Sequence, residues 1–213
     1  MSNRTKIFFG SNEPKNVTQT EIQANLRKQF KACEPAEVVE GLAWYKQAHS
    51  DCDRLSKAYG VSIEVTATVL AVLSAQKRWS QNVLETGMYL ADNQGIGRIQ
   101  GFYTTESQAT AVRELLKTGK MPKLGPKVAS FRENVLSHGL NLGVVTVDVW
   151  AIRHSCKTSH NAKIAPTRAQ YQKIESAFCT VSRELGILPQ ELQAVLWVAA
   201  RNVSAQIGRA KNV

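Results

Sequence analysis

Apolar residues recur at helical spacing along most of the chain, and no segment sustains a strict apolar–polar alternation. Pro35 opens an amphipathic run to Tyr59, and Gly60 follows it at the position that ends helices in the left-handed conformation. Ser62 is placed to cap a helix over 63–75. There Ile63, Val65, Val69, Leu70, Val72 and Leu73 surround the axis almost completely, which predicts a central, buried helix. Further helices are expected over 80–91, from Thr105-Glu106 to near Thr118-Gly119, and over 126–137, with Pro126 as the first helical residue and Gly139 as the stop. On that last helix Val128, Phe131, Val135 and Leu136 form one face, and Lys127, Ser130 and Asn134 another. The glycine-rich stretch 93–101 reads as a loop.

The β-branched piece 144–147 is short and is expected to be an extended link, not a sheet strand. Asp148 is then placed to N-cap a helix running through Arg153. Thr167 caps a helix to about Leu185, stopped by Gly186, and Pro189 starts a last apolar helix through Arg201. Residues 155–166 are the expected flexible loop. The reading is all-α, with no internal repeat and no low-complexity linker.

At 213 residues and 43% apolar content the chain can bury its own core, as one large domain or two small lobes. The longest apolar stretch, 65–75, is broken by Thr66, Thr68 and Ser74 and falls short of the ~20 residues a membrane span needs. No membrane partner is expected. The first ten residues carry no apolar core of signal-peptide length. Cys33, Cys52, Cys156 and Cys179 are scattered without a CxxC, so reduced thiols and a cytoplasmic location are expected. His49, His138, His154 and His160 show no ligand spacing, and neither a metal nor a cofactor is expected.

Charge sharpens this picture. The formal net charge is +10, and residues 115–174 hold ten Lys and Arg against only Glu133 and Asp148, a local balance of +8. A cationic field of this kind favours a polyanionic partner, nucleic acid before an anionic membrane surface. If these cations meet phosphates, binding weakens with salt at a log–log slope of ~0.9 per contact.

The chemistry concentrates in Met121-Pro122-Lys123-Leu124-Gly125-Pro126-Lys127-Val128-Ala129, a helix end, a tight turn and a new helix. Backbone N–H groups exposed at a helix start suit a phosphate. Lys127 falls in the first turn of the new helix, where the dipole and neighbouring cations disfavour its ammonium form and favour a nucleophilic amine. Asp148, twenty-one residues later, is expected to be fixed at a cap. A lysine amine and a fixed carboxylate suit attack on a sugar C1′.

Residues 121–129 resemble the helix-hairpin-helix of the base-excision DNA glycosylases, L-P-G-V-G-x-K-x-A. Thr146-Val147-Asp148-Val149-Trp150 resembles the V-D-x-H that follows it in endonuclease III and 8-oxoguanine glycosylase. Val72-Leu73-Ser74-Ala75-Gln76 is similar to the L-S-A-Q of the same superfamily, and the three stand in the family's order. The resemblance implies a two-lobed glycosylase-like fold, with a six-helix lobe over 61–147 and a second lobe from 1–60 with 148–213. It implies Lys127 as the Schiff-base lysine, Asp148 as the aspartate supporting glycosidic cleavage, and Gln76 as a loop residue inserted near the vacated base. Lys120, Lys123, Gly125, Arg132 and Arg153 are the further candidate DNA contacts, and Trp79, Asn82 and Trp150 the candidate base pocket. Trp44 and Trp197 are assigned to the core.

Two positions depart from the pattern: Lys123 replaces the first hairpin glycine, and Trp150 replaces the usual histidine. The segment 196–201 is similar to the helix preceding the iron–sulfur loop of endonuclease III, but Ser204 stands near the first cluster cysteine's place, so no iron–sulfur cluster is expected. Trp79-Ser80-Gln81-Asn82 and the segment 192–197 are also similar to small phage proteins, which implies a phage-encoded member working in a host cytoplasm. The expected function is a monomeric DNA glycosylase with abasic-site lyase activity on double-stranded DNA. The alternatives are a glycosylase-like transferase that hypermodifies a pyrimidine in phage DNA, and a non-catalytic hairpin module that binds duplex.

Overall fold

The computed structural model describes residues 2–10, 17–92, 98–137, 140, 143–159 and 165–210, without the side chains of 207–210. The expected loop at 93–101 lies partly outside these residues, as does 155–166, and Gly139, His138, His160 and Lys163 lie outside them altogether. Among the described residues the chain is helical and has no β-strand, which makes it all-α. It divides into two compact units, Lys46–His138 and Met1–Tyr45 with Gly139–Val213. The division therefore falls inside a helix and after residue 138, whereas the resemblance implies lobes bounded at 60/61 and 147/148.

The Lys46–His138 unit holds the C-terminal part of α3 (Pro35–Tyr59), then α4 (Ile63–Leu73), α5 (Trp79–Ala91), α6 (Glu106–Thr118) and α7 (Pro126–Leu136). Among the described residues this is four whole helices and part of a fifth, where six were expected. α4 is the centre, packed against α5, α6 and α7. Ser62 caps it through Val65 N, and Ala67, Val69, Leu70, Ala71 and Leu73 are buried along it. Thr66 and Thr68 are buried there too, because each hydroxyl donates to a carbonyl one turn back, Ser62 O at 3.0 Å and Glu64 O at 2.7 Å. Truncating Leu70 or Leu73 to alanine is worth about 2–5 kcal/mol at such sites. The N-terminal boundary moves because Ala48, Cys52 and Leu55 of α3 are buried and Leu55 lies beside Gly87 of α5.

The buried stripe of α7 differs from the expected one. It runs through Ser130, Phe131, Asn134 and Val135, while Val128 and Leu136 are only half-buried. Residues i, i+1, i+4 and i+5 share a face, so the helix is turned toward its small and amide side chains and away from the most apolar reading.

The other unit combines α1 (Asn3–Phe8), α2 (Gln19–Lys31) and the start of α3 with α8 (Val149–Ser155), α9 (Arg168–Leu185) and α10 (Pro189–Ala210). Its core contains Phe8, Phe9, Ile22, Leu26, Val145, Val147, Phe178 and Leu196. Val145 and Val147 thus draw residues 144–147 into this unit. The link needs no sheet partner: Val145 N donates to Glu175 Oε1 at 3.0 Å, Val147 N to the Tyr171 hydroxyl at 3.2 Å, and that hydroxyl donates to Val145 O at 2.8 Å. Side chains of α9 satisfy the extended backbone. Gly41 of α3 lets a backbone approach α10, since a Cβ there would stand 2.3 Å from Val195 Cα. α10 runs past the expected end at Arg201 because the apolar stripe continues to the buried Val203. Trp44 and Trp197 meet edge to face at 5.6 Å and are half-buried, with Arg201 4.5 Å over the Trp197 ring.

Candidate nucleic-acid interface

α6 ends in the left-handed Gly119, whose N–H donates to Leu115 O at 2.8 Å. α7 starts from Gly125 as N-cap with Pro126 at the first helical position, and no side chain caps it. The amides at the start of α7 therefore carry the helix's positive end with no capping side chain among the described residues. Lys117, Lys120, Lys123 and Gly125 are exposed, and a Cβ built on Gly125 meets no atom within 4 Å, so the turn opens on free space. Lys127 is half-buried in the first turn, and its ammonium makes no hydrogen bond or ion pair among the described residues. Backbone devices hold this turn while its cations face outward.

Arg132 behaves differently from the lysines. Its Nε donates to Thr68 Oγ1 at 2.8 Å and it pairs with Glu133, so its guanidinium is engaged against α4 and its side chain is only 19% exposed. It is thus committed to the interior of its own unit.

The α4–α5 turn carries Gln76, exposed and left-handed at φ 57°. Trp79 is the first residue of α5. Its indole N–H donates to Asp51 Oδ2 at 2.8 Å, and its ring meets Phe131 edge-on at 6.3 Å. Asn82 is 2% exposed and donates through Nδ2 to Leu70 O at 3.0 Å, fastening α5 to α4. Of the pocket residues in this unit, Trp79 is half-buried and oriented, and Asn82 belongs to the core. Sequence reasoning missed Lys77, whose ammonium is buried against Glu85 and Thr104. The signal was Glu85, which falls on the same α5 stripe as the buried Asn82, Thr86 and Tyr89.

Asp148, Trp150 and Arg153 belong to the other unit from Lys127. Asp148 Oδ1 caps α8 by accepting from Ala151 N at 2.8 Å. Arg153 stacks 5.1 Å over the Trp150 ring, which also meets Phe9 at 6.2 Å. Burial lowers the Arg153 pKa, opposed by the Asp148 carboxylate. The four cysteines are unpaired, and desolvation pushes Cys33 and Cys52 up to about 12, which suppresses their thiolates. Among the described residues no three His, Cys, Asp or Glu side chains form a group that could hold a metal ion, and no single helix is long and apolar enough to cross a membrane.

No curated protein and no solved structure matches the chain. A family model spanning residues 11–204 does match, and the chain belongs to that family, a family of unknown function (DUF7178).

Proposed function

We propose that the protein is a DNA glycosylase of the helix-hairpin-helix type with abasic-site lyase activity, acting on a modified or damaged base in duplex DNA. The observation that carries this reading is Lys127: a half-buried lysine whose amine has no hydrogen-bond or ion-pair partner among the described residues, in the first turn of α7, behind an open glycine and beside a turn of exposed lysines. The lysines and the α7 start bind phosphates on the strand to be cut. The target nucleotide is flipped out of the stack at a cost of a few kcal/mol.

The Lys127 amine then forms a bond to C1′ as the C1′–N bond to the base breaks, and the departing base takes up a proton. The sugar ring opens to an imine, and loss of the C2′ proton expels the 3′ phosphate by β-elimination. Asp148 stabilises positive charge on the sugar and relays protons. Gln76 contacts the duplex beside the vacated position.

Borohydride with an abasic duplex tests the reading, because reduction of the imine leaves a covalent adduct. Wild type is expected to be trapped and Lys127→Ala to lose the adduct. Absence of an adduct with wild type, or an undiminished one with Lys127→Ala, overturns the lyase.

A second reading is favoured by the N-cap bond of Asp148, which gives that carboxylate a structural task. On it the chain is a hairpin module that binds duplex without chemistry. Binding unaccompanied by base release, and unchanged in Asp148→Asn, identifies the module. A heavier nucleoside in treated DNA, read by mass spectrometry, identifies the base-modifying transferase instead.

A further inference from the structure

Among the described residues, positive φ is adopted by Gly60, Gly101, Gly119, Gly143 and Gly186, and by two residues that carry a Cβ, Gln76 and Lys157. Glycine takes this conformation freely, whereas an L side chain is strained in it. Lys157 is explained within the fold: its ammonium donates to the Lys6 and Ile7 carbonyls, the latter at 2.8 Å, at the end of α1. Gln76 has no such explanation. Its side chain is exposed and makes no hydrogen bond among the described residues.

What holds Gln76 in place is its neighbour. The Lys77 side chain is 3% exposed and Glu85 is fully buried. The Lys77 ammonium pairs with Glu85 Oε2 and donates to Thr104 Oγ1 at 2.6 Å, and the Thr104 hydroxyl donates to Glu85 Oε1 at 2.6 Å. The three groups close a ring. On the other side Ser74 donates to Ala71 O at 2.9 Å and finishes α4. The backbone at residue 76 is therefore tied at both ends, and one tie is a buried charge that cannot be released without leaving its partner uncompensated.

We propose that Lys77 is a positioning residue: through Glu85 and Thr104 it holds Gln76 in the left-handed turn, so that the Gln76 side chain is presented to the DNA duplex already ordered. This rests on the duplex-binding part of the proposed function. Ordering the turn in advance removes a conformational cost from binding and lets the glutamine amide contribute to affinity.

Two coupled measurements test it, each made in wild type and in a Lys77→Met/Glu85→Gln background. Without DNA, Gln76→Gly relieves the strain and is expected to raise Tm by about 2 °C in wild type, and not in the background, where the turn is free to relax. With an abasic-site duplex followed by fluorescence anisotropy, Gln76→Ala is expected to weaken wild-type binding about tenfold and the background less than about twofold. Equal effects of the Gln76 substitutions in both backgrounds overturn the positioning role. Failure of wild type to bind the duplex overturns the proposed function and the presentation with it, while the Tm cycle still reports whether Lys77 holds the turn. Should the double variant not fold, Thr104→Val replaces it, with the same expected direction and the same overturning result.

Discussion

Each unit buries a titratable group, and they are treated in opposite ways. In Lys46–His138, the Lys77 ammonium and the Glu85 carboxylate are buried together, with Thr104 closing the ring between them. In the other unit His154 is fully buried on α8, with its ring edge-on to Phe178 at 6.3 Å and neither ring nitrogen hydrogen-bonded among the described residues. Desolvation alone lowers its pKa to about 3. The first is buried against a partner of opposite formal charge; the second stays in the fold by remaining neutral. A buried ion pair ties distant segments together, whereas a buried neutral imidazole makes its unit's stability depend on pH.

Removing one half of the pair is the severest way to break this contrast. Glu85→Leu leaves the Lys77 ammonium buried and unpaired and is expected to cost about 3–5 kcal/mol in denaturant unfolding. Lys77→Met/Glu85→Gln removes both charges and is expected to cost far less. Similar losses for the two would mean that packing, not charge, dominates the site.

The histidine answers to acid. The unfolded chain binds a proton near pH 6.5 and the folded chain only near 3, so stability is full above 6.5 and falls as pH drops between these values. The expected contribution is about 2 kcal/mol lost between pH 7 and pH 5, and it should vanish in His154→Leu. A pH profile shared by wild type and the variant would remove His154 as the cause.

The exposed turn between α6 and α7 gives the smaller effects. Gly119→Ala places a Cβ in open space at φ 70°, so only backbone strain acts, about 1 kcal/mol in thermal unfolding. Lys123→Ala is expected to change stability by less than ~0.5 kcal/mol and to lower the salt slope of duplex binding by ~0.9. A large stability loss there would show that this lysine is held inside the unit, as Arg132 is.

These cases show where reading residues in order succeeds. α3, α6 and α9 end where Gly60, Gly119 and Gly186 predict, since a left-handed stop is a local property of one residue. The central place of α4 was visible because its apolar residues surround the helix. The start of α7 just before Lys127 and the cap at Asp148 were legible for the same reason, each being written within about ten residues. The face of α7 was misjudged because Ser130 and Asn134 look polar in isolation, and their burial depends on what packs against them.

The lysines mark the limit most clearly. Lys77, Lys123 and Lys127 carry the same side chain on the same unit, yet one is buried in a pair, one is exposed and one is half-buried with no partner among the described residues. Helices, stops and caps follow from torsional preference and short-range hydrogen bonding, so the order of residues is enough to specify them. Whether a cation turns inward or outward depends on a carboxylate eight residues away and a hydroxyl twenty-seven away, which only packing brings within reach of Lys77. Coulomb and desolvation terms depend on distance in space, and separation along the chain does not determine that distance.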